Sequence, residues 1–123
     1  MNGSLLMKLI ISGSRVLQVS NEELTVILAE NGLYSRMTEI VSGGARGIDT
    51  SAIELAKTLG MQYTIHIPGW KQHGQRYAAF VRNIKMAFYA DELLAIWDGK
   101  SKGTAHMIEQ MMELGKPSVI ITR

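Results

Sequence analysis

Two periodicities alternate along this chain. Short apolar runs of strand length are separated by stretches whose apolar residues recur every three or four positions. Met7–Ser12 is the first such run, and it stops at Gly13. Ser20-Asn21-Glu22-Glu23 has the form of a capping box, which predicts a helix start with Leu24, Ile27 and Leu28 on one face and an end near Asn31-Gly32. Glu39–Ser42 predicts a second strand, stopped by Gly43-Gly44. A helix is predicted from Ile48 to Leu59, with Ile48, Ala52, Leu55, Ala56 and Leu59 at helical spacing and Gly60 as its stop. Tyr63–Ile67 predicts a third strand, broken by Pro68-Gly69. Gln75–Tyr89 predicts a helix whose apolar side carries Tyr77, Phe80, Val81, Ile84 and Phe88. Leu93–Trp97 is a fourth strand. Thr104–Leu114 is a helix with Met107, Ile108, Met111 and Met112 turned inward, and Ser118–Thr122 is a fifth strand.

Strands separated by helices pair in parallel, and right-handed crossovers place helices on both faces of the sheet. The expected architecture is α/β: a Rossmann-like, doubly wound, five-stranded parallel sheet of order 3-2-1-4-5. The switch point then lies between strands one and four, and ligands of such sheets sit in the crevice beyond the strand C-termini. The loops after strands one, two and four should therefore carry the chemistry.

Composition narrows the partners. With 123 residues the chain is expected to form one domain, and 46% hydrophobic with 20% charged residues is globular composition. No apolar run approaches the roughly 20 residues of a membrane span, so no membrane partner is expected. The opening MNGSLLMKLIISGSR lacks a basic leader region and a cleavage pattern, and is expected to be a first strand rather than a signal peptide. The absence of cysteine excludes disulfides and a thiol nucleophile and fits a cytoplasmic location. His66, His73 and His106 are not paired at metal-ligand spacing, so neither a metal nor a further cofactor is expected. Thirteen basic and 11 acidic residues leave a net charge of only +2, whereas binding to long nucleic acid through phosphates usually needs a larger excess. Long nucleic acid is accordingly not an expected partner.

Three loops fit a phosphate-bearing ligand. Ser12-Gly13-Ser14-Arg15 offers a backbone open to close approach, a hydroxyl and a planar charged fork. Ser42-Gly43-Gly44-Ala45-Arg46-Gly47-Ile48-Asp49 places three glycines between a strand and a helix N-terminus, an arrangement suited to anions. Asp49 there could bond a ribose hydroxyl, or could simply be an acid in a first helical turn. Asp98-Gly99-Lys100-Ser101-Lys102-Gly103-Thr104 again joins strand to helix with two lysines and two hydroxyls. Each loop could also be an ordinary solvated turn. A fourth segment, Pro68–Gly74, carries Trp70, which could stack on a base or pack on the helix end. Asn83 could hydrogen-bond a base, beside Arg82. Neither the GxGxxG spacing nor the Gly-Lys-Ser/Thr of a P-loop is present.

In this order, IISGSR, IVSGGARGIDTSAIELAKTLG, VRNIKM and ADELLAIWDGKSKGTAHMI resemble the SLOG superfamily of nucleotide-binding domains, and most of all its compact YspA-type (YpsA-related) branch. The resemblance spans about Lys8 to Pro117. It implies ligand contacts at Gly13, Ser14, Arg15, Gly43, Gly44, Arg46, Asp49, Arg82, Asn83, Gly103 and Thr104, and a nucleotide or nucleotide-derived small molecule that is sensed or sequestered. LOG-type phosphoribohydrolases, more distantly similar, use the glutamate of a Gly-Thr-x-x-Glu element to cleave a glycosidic bond. Here Gly103-Thr104-Ala105-His106 is followed by Met107, with Glu109 two residues on, so a hydrolase would need Asp49 or Asp98 as its carboxylate. DprA-type single-stranded DNA-binding proteins are similar over GGARGIDTSAIELA. LOG-like relatives dimerise, so the resemblance leaves a homodimer open.

Overall fold

A computed structural model describes residues 6–123, apart from the side chains at positions 72, 73, 75 and 76. The expectation for the opening segment falls partly on positions 1–5, outside the described residues. The elements run β1 (Lys8–Gly13), α1 (Asn21–Glu30), β2 (Glu39–Ser42), α2 (Ile48–Leu59), β3 (Gln62–Ile65), α3 (Trp70–Tyr89), β4 (Glu92–Trp97), α4 (Lys102–Glu113) and β5 (Ser118–Thr122). All strand pairs are parallel, in the order β3-β2-β1-β4-β5. The expected sheet and its Rossmann-like winding are thus what the chain forms.

Successive residues of a strand point to opposite faces, and here both faces are covered, so the central strands are apolar throughout. Leu9 and Ile11 of β1 pack with Leu24 and Leu28 of α1 and Ala52 and Leu55 of α2. Ile10 points the other way and joins Met86 and Ala87 of α3 and Met107 and Met111 of α4. The helix ends follow local chemistry. The Ser20 hydroxyl accepts the Glu23 N–H at 3.1 Å to start α1, and Gly60 closes α2 in the left-handed conformation.

Three expectations are corrected. Strand β3 ends at Ile65, because its partner β2 is only four residues long; past the bond from the His66 N–H to the Ser42 carbonyl, the chain has nothing to pair with. The side of α3 expected to face the core is turned to solvent: Tyr77 is 66% and Phe88 67% exposed. The helix instead buries Ala78, Met86 and Ala87, with Asn83 among them, and Met86 and Ala87 pack with Ile10 and Val41 of the sheet. Met112 is likewise 71% exposed, whereas Met107, Ile108 and Met111 are buried.

The switch point admits no side chain at Gly13. A Cβ there would lie 2.1 Å from the Ile96 carbonyl oxygen, and both strands are central. We expect Gly13→Ala to lower stability by on the order of 3 kcal/mol in urea unfolding. Gly60→Ala, with open space but φ of +64°, should cost only about 1 kcal/mol. Equal losses would show that the clash at Gly13 is relieved by strand movement.

Candidate functional site

The C-terminal edge of the sheet is built around Ser14. Its N–H donates to the Ile96 carbonyl at 3.1 Å, and its hydroxyl accepts the Asp98 N–H at 3.0 Å. Its carbonyl accepts from Leu17 N–H at 3.3 Å and from Ile48 N–H at 3.5 Å. Ser14 is buried and serves as the tie between the loops after β1, β2 and β4. Gly47 makes that approach possible: φ is +78°, and a Cβ would fall 2.5 Å from the Ser14 carbonyl oxygen.

The loop after β2 folds on itself. The Ser42 hydroxyl donates to the Asp49 carbonyl at 3.0 Å and accepts the Gly44 N–H at 3.2 Å. Asp49 Oδ2 accepts the Ala45 N–H at 3.2 Å, while Oδ1 is buried with no hydrogen-bond partner among the described residues. Burial pushes the Asp49 carboxyl above its ordinary pKa, and the Ala45 N–H and the Arg82 charge only partly oppose that rise.

Arg82 reaches this loop from α3. Its Nη1 donates to the Gly43 carbonyl at 2.7 Å and its Nε to Asn83 Oδ1 at 2.9 Å. Asn83 in turn donates from Nδ2 to the Gly103 carbonyl at 3.2 Å and sits 3.1 Å from His106 Nδ1. Asn83 thereby fixes the guanidinium and couples α3 to α4. Burial lowers the Arg82 pKa, Asp49 draws it back up, and Arg15 lowers it again. Gly43 is the residue that leaves room for this contact, since a Cβ would meet Nη1 at 2.5 Å.

A cleft of about 480 Å³ opens here. Cationic residues and glycines line it: Arg15, Gly43, Gly44, Arg46 and Arg82. The rest of the lining is apolar: Ile53, Ile65, which lies against Gly44, Ile67, Pro68 and Trp70, the last 45% exposed. Six residues singled out in the sequence therefore converge: Arg15, Gly43, Gly44, Arg46, Trp70 and Arg82. Gly13, Ser14, Asp49 and Asn83 do not line the cleft but shape it from beneath or behind.

The loop after β4 is also outside the lining. Asp98 Oδ1 accepts the N–H groups of Lys100 and Ser101, each at 2.9 Å, and these bonds hold its carboxyl below the ordinary range. Thr104 is buried in the first turn of α4, where Ser101 caps the helix. Lys100 and Gly103 are exposed. Met107, at the place of the LOG-type glutamate, is buried in the core, and Glu109 is exposed. The apolar part of the lining, Ile53, Ile65 and Ile67, is not among the sequence candidates. Its one sequence signal is the apolar Ile67-Pro68 after the strand has lost its partner.

The chain is 36% identical over 86 residues to the Gene 61 protein of Mycobacterium phage D29, which covers 65% of this chain and 68% of the phage protein. It belongs to the family of that phage protein. No protein-family model matches it. Its fold is shared with two solved proteins. The DNA processing protein A (DprA) of Streptococcus pneumoniae superposes with a TM-score of 0.75 at 21% identity, covering 96% of this chain and 51% of that one. The DNA processing protein A of Helicobacter pylori, described for its single-stranded DNA binding mode, gives 0.71 at 20% identity, covering 95% and 66%. The chain thus spans about half the length of the pneumococcal protein. At these identities the likenesses show a shared fold.

They also overturn the expectation that long nucleic acid is not a partner. A protein of this fold carries a single-stranded DNA binding mode, so the exclusion drawn from net charge fails. The physical reason is that net charge averages the whole surface, whereas the cleft concentrates Arg15, Arg46 and Arg82 in one place.

Asp49 yields a stability prediction. Its folded pKa lies above the ordinary carboxylate value, so the folded state holds its proton more tightly than the unfolded state does. Its contribution therefore penalises folding above the raised pKa, and the penalty disappears as pH falls toward the ordinary value. Asp49→Asn should raise Tm at pH 7–8, and the gap to the unaltered protein should narrow as pH is lowered. A variant less stable at pH 8 would mean that the charge of Asp49 is favourably paired with Arg82.

Proposed function

We propose that this chain binds single-stranded DNA in the cleft at the C-terminal edge of the sheet, acting as one SLOG-like domain. The observation that carries the reading is the division of that cleft. Its lining is divided between three arginines with the Gly43-Gly44 backbone and apolar side chains including the exposed Trp70. A nucleotide unit has the matching division, with phosphate on one side and a base with a π-face on the other. Binding of single strands commonly combines a cationic track with an aromatic platform. The structural likeness to DNA processing proteins supports the same partner.

Arginine suits the phosphate role, because its planar fork gives two parallel donor bonds. Arg82 is pre-positioned by Asn83 and the Gly43 carbonyl, so little freedom is lost on binding. Arg15 and Arg46 are exposed and free to close on a ligand. A hydrolytic function finds less support: Asp49 is buried outside the cleft lining, and Asp98 is engaged in a turn.

A second reading is a free nucleotide or nucleotide-derived ligand, favoured by the cleft volume, which lies in the range of small-molecule pockets. Fluorescence anisotropy with a labelled dT12 strand, competed by mononucleotides, separates the two. The strand reading expects dT12 to bind with strong salt dependence and mononucleotides to compete poorly. Arg46→Ala should reduce the slope of log K against log salt by about 0.7. Trp70→Ala should cost about 1–3 kcal/mol without changing that slope. Tight mononucleotide binding with no gain from the strand would favour the second reading.

A further inference from the structure

Beside the arginine cleft lies a second one, of about 370 Å³, between the end of β3 and the flank of α3. The two are neighbours in the strict sense that Ile65, Ile67 and Arg82 line both. Ile67 is 77% exposed and lies beyond the last bond between β3 and β2, so it stands as an apolar ridge between the clefts. The second cleft adds Val81, Lys85 and His66. Lys85 is exposed, and its position three residues after Arg82 puts the two Cβ atoms about 5–6 Å apart on one helix. His66 packs against Tyr89 with ring centroids 5.4 Å apart. Its Nε2 is buried and lacks a hydrogen-bond partner among the described residues.

We infer that a bound strand does not end in the arginine cleft but crosses Ile67 into this second cleft, where Lys85 takes the next phosphate and Val81 with Ile65 and Ile67 borders the next base. The inference rests on the single-stranded DNA reading and extends it from one nucleotide site to a directed path along α3. Arg82 is the shared cation: its guanidinium is fixed toward Gly43, and its helix continues to Lys85. A free mononucleotide needs only the first cleft. A polymer has reason to use both, because each site holds cationic and apolar surface together.

Three variants test the path with labelled dT12 at about 0.1 M salt. Lys85→Ala should weaken binding about fivefold and reduce the salt slope by about 0.7, the value for one lost contact to a single strand. Ile67→Asp, which puts a negative charge on an exposed ridge, should weaken binding by at least as much. Lys57→Ala is the control: this exposed lysine lies in the last turn of α2, toward the opposite edge of the sheet, and should change neither quantity. If dT12 binds the unaltered protein and Lys85→Ala and Ile67→Asp behave like Lys57→Ala, the path is wrong while the arginine-cleft reading survives. If all three variants weaken binding alike, binding is diffuse and the path is again wrong. If dT12 does not bind the unaltered protein, both readings fall. Circular dichroism melts of each variant separate a loss of contact from a loss of fold.

Discussion

The C-terminal edge of this molecule is organised by one serine. Ser14 leaves β1 and is bonded to the Ile96 carbonyl, to the Asp98 N–H and to the first turns that follow in α2. Three loops from strands far apart in sequence are held against each other through that residue. Its packing admits no Cβ at Gly13 or Gly47. Those glycines are structural requirements first. The consequence for a ligand is indirect: with the loops pinned, Gly43, Gly44, Arg15 and Arg46 face a common cleft.

The fold was legible because its signals are local and repeated. Strand runs bounded by glycine, a capping box at Ser20 and parallel-sheet topology leave few arrangements open. The face of α3 was not legible. Tyr77, Phe80, Val81, Ile84 and Phe88 carry the helical period of a buried stripe, yet the helix buries the face of Ala78, Met86 and Ala87. Periodicity reports where large apolar residues lie, not which face is buried. The β3 boundary failed for a similar reason, since its length is set by the short partner β2.

The site was partly legible. Glycine-rich loops and their arginines are sequence features, and Arg15, Gly43, Gly44 and Arg46 converge as their positions at the sheet edge suggested. The roles of Ser14, Asp49 and Asn83 were not readable. A serine, an aspartate and an asparagine next to glycines look the same whether they meet a ligand or hold a loop. Only burial and hydrogen-bond partners tell them apart. Overall charge misled most, because the relevant field is the one inside a crevice.

Gly74 divides α3 into unequal parts, with φ of 72° and ψ of 169° interrupting the helical backbone. The short part carries Trp70, and the long part carries Arg82 and the Met86 and Ala87 that pack on the sheet. Trp70 and Arg82, both in the cleft lining, therefore stand on opposite sides of a break in the helix. A change at Trp70 can alter one part of the lining while Arg82 and its bonds to Gly43 and Asn83 belong to the other side of the break, which makes this short segment a place where relatives of one fold can diverge in what they hold.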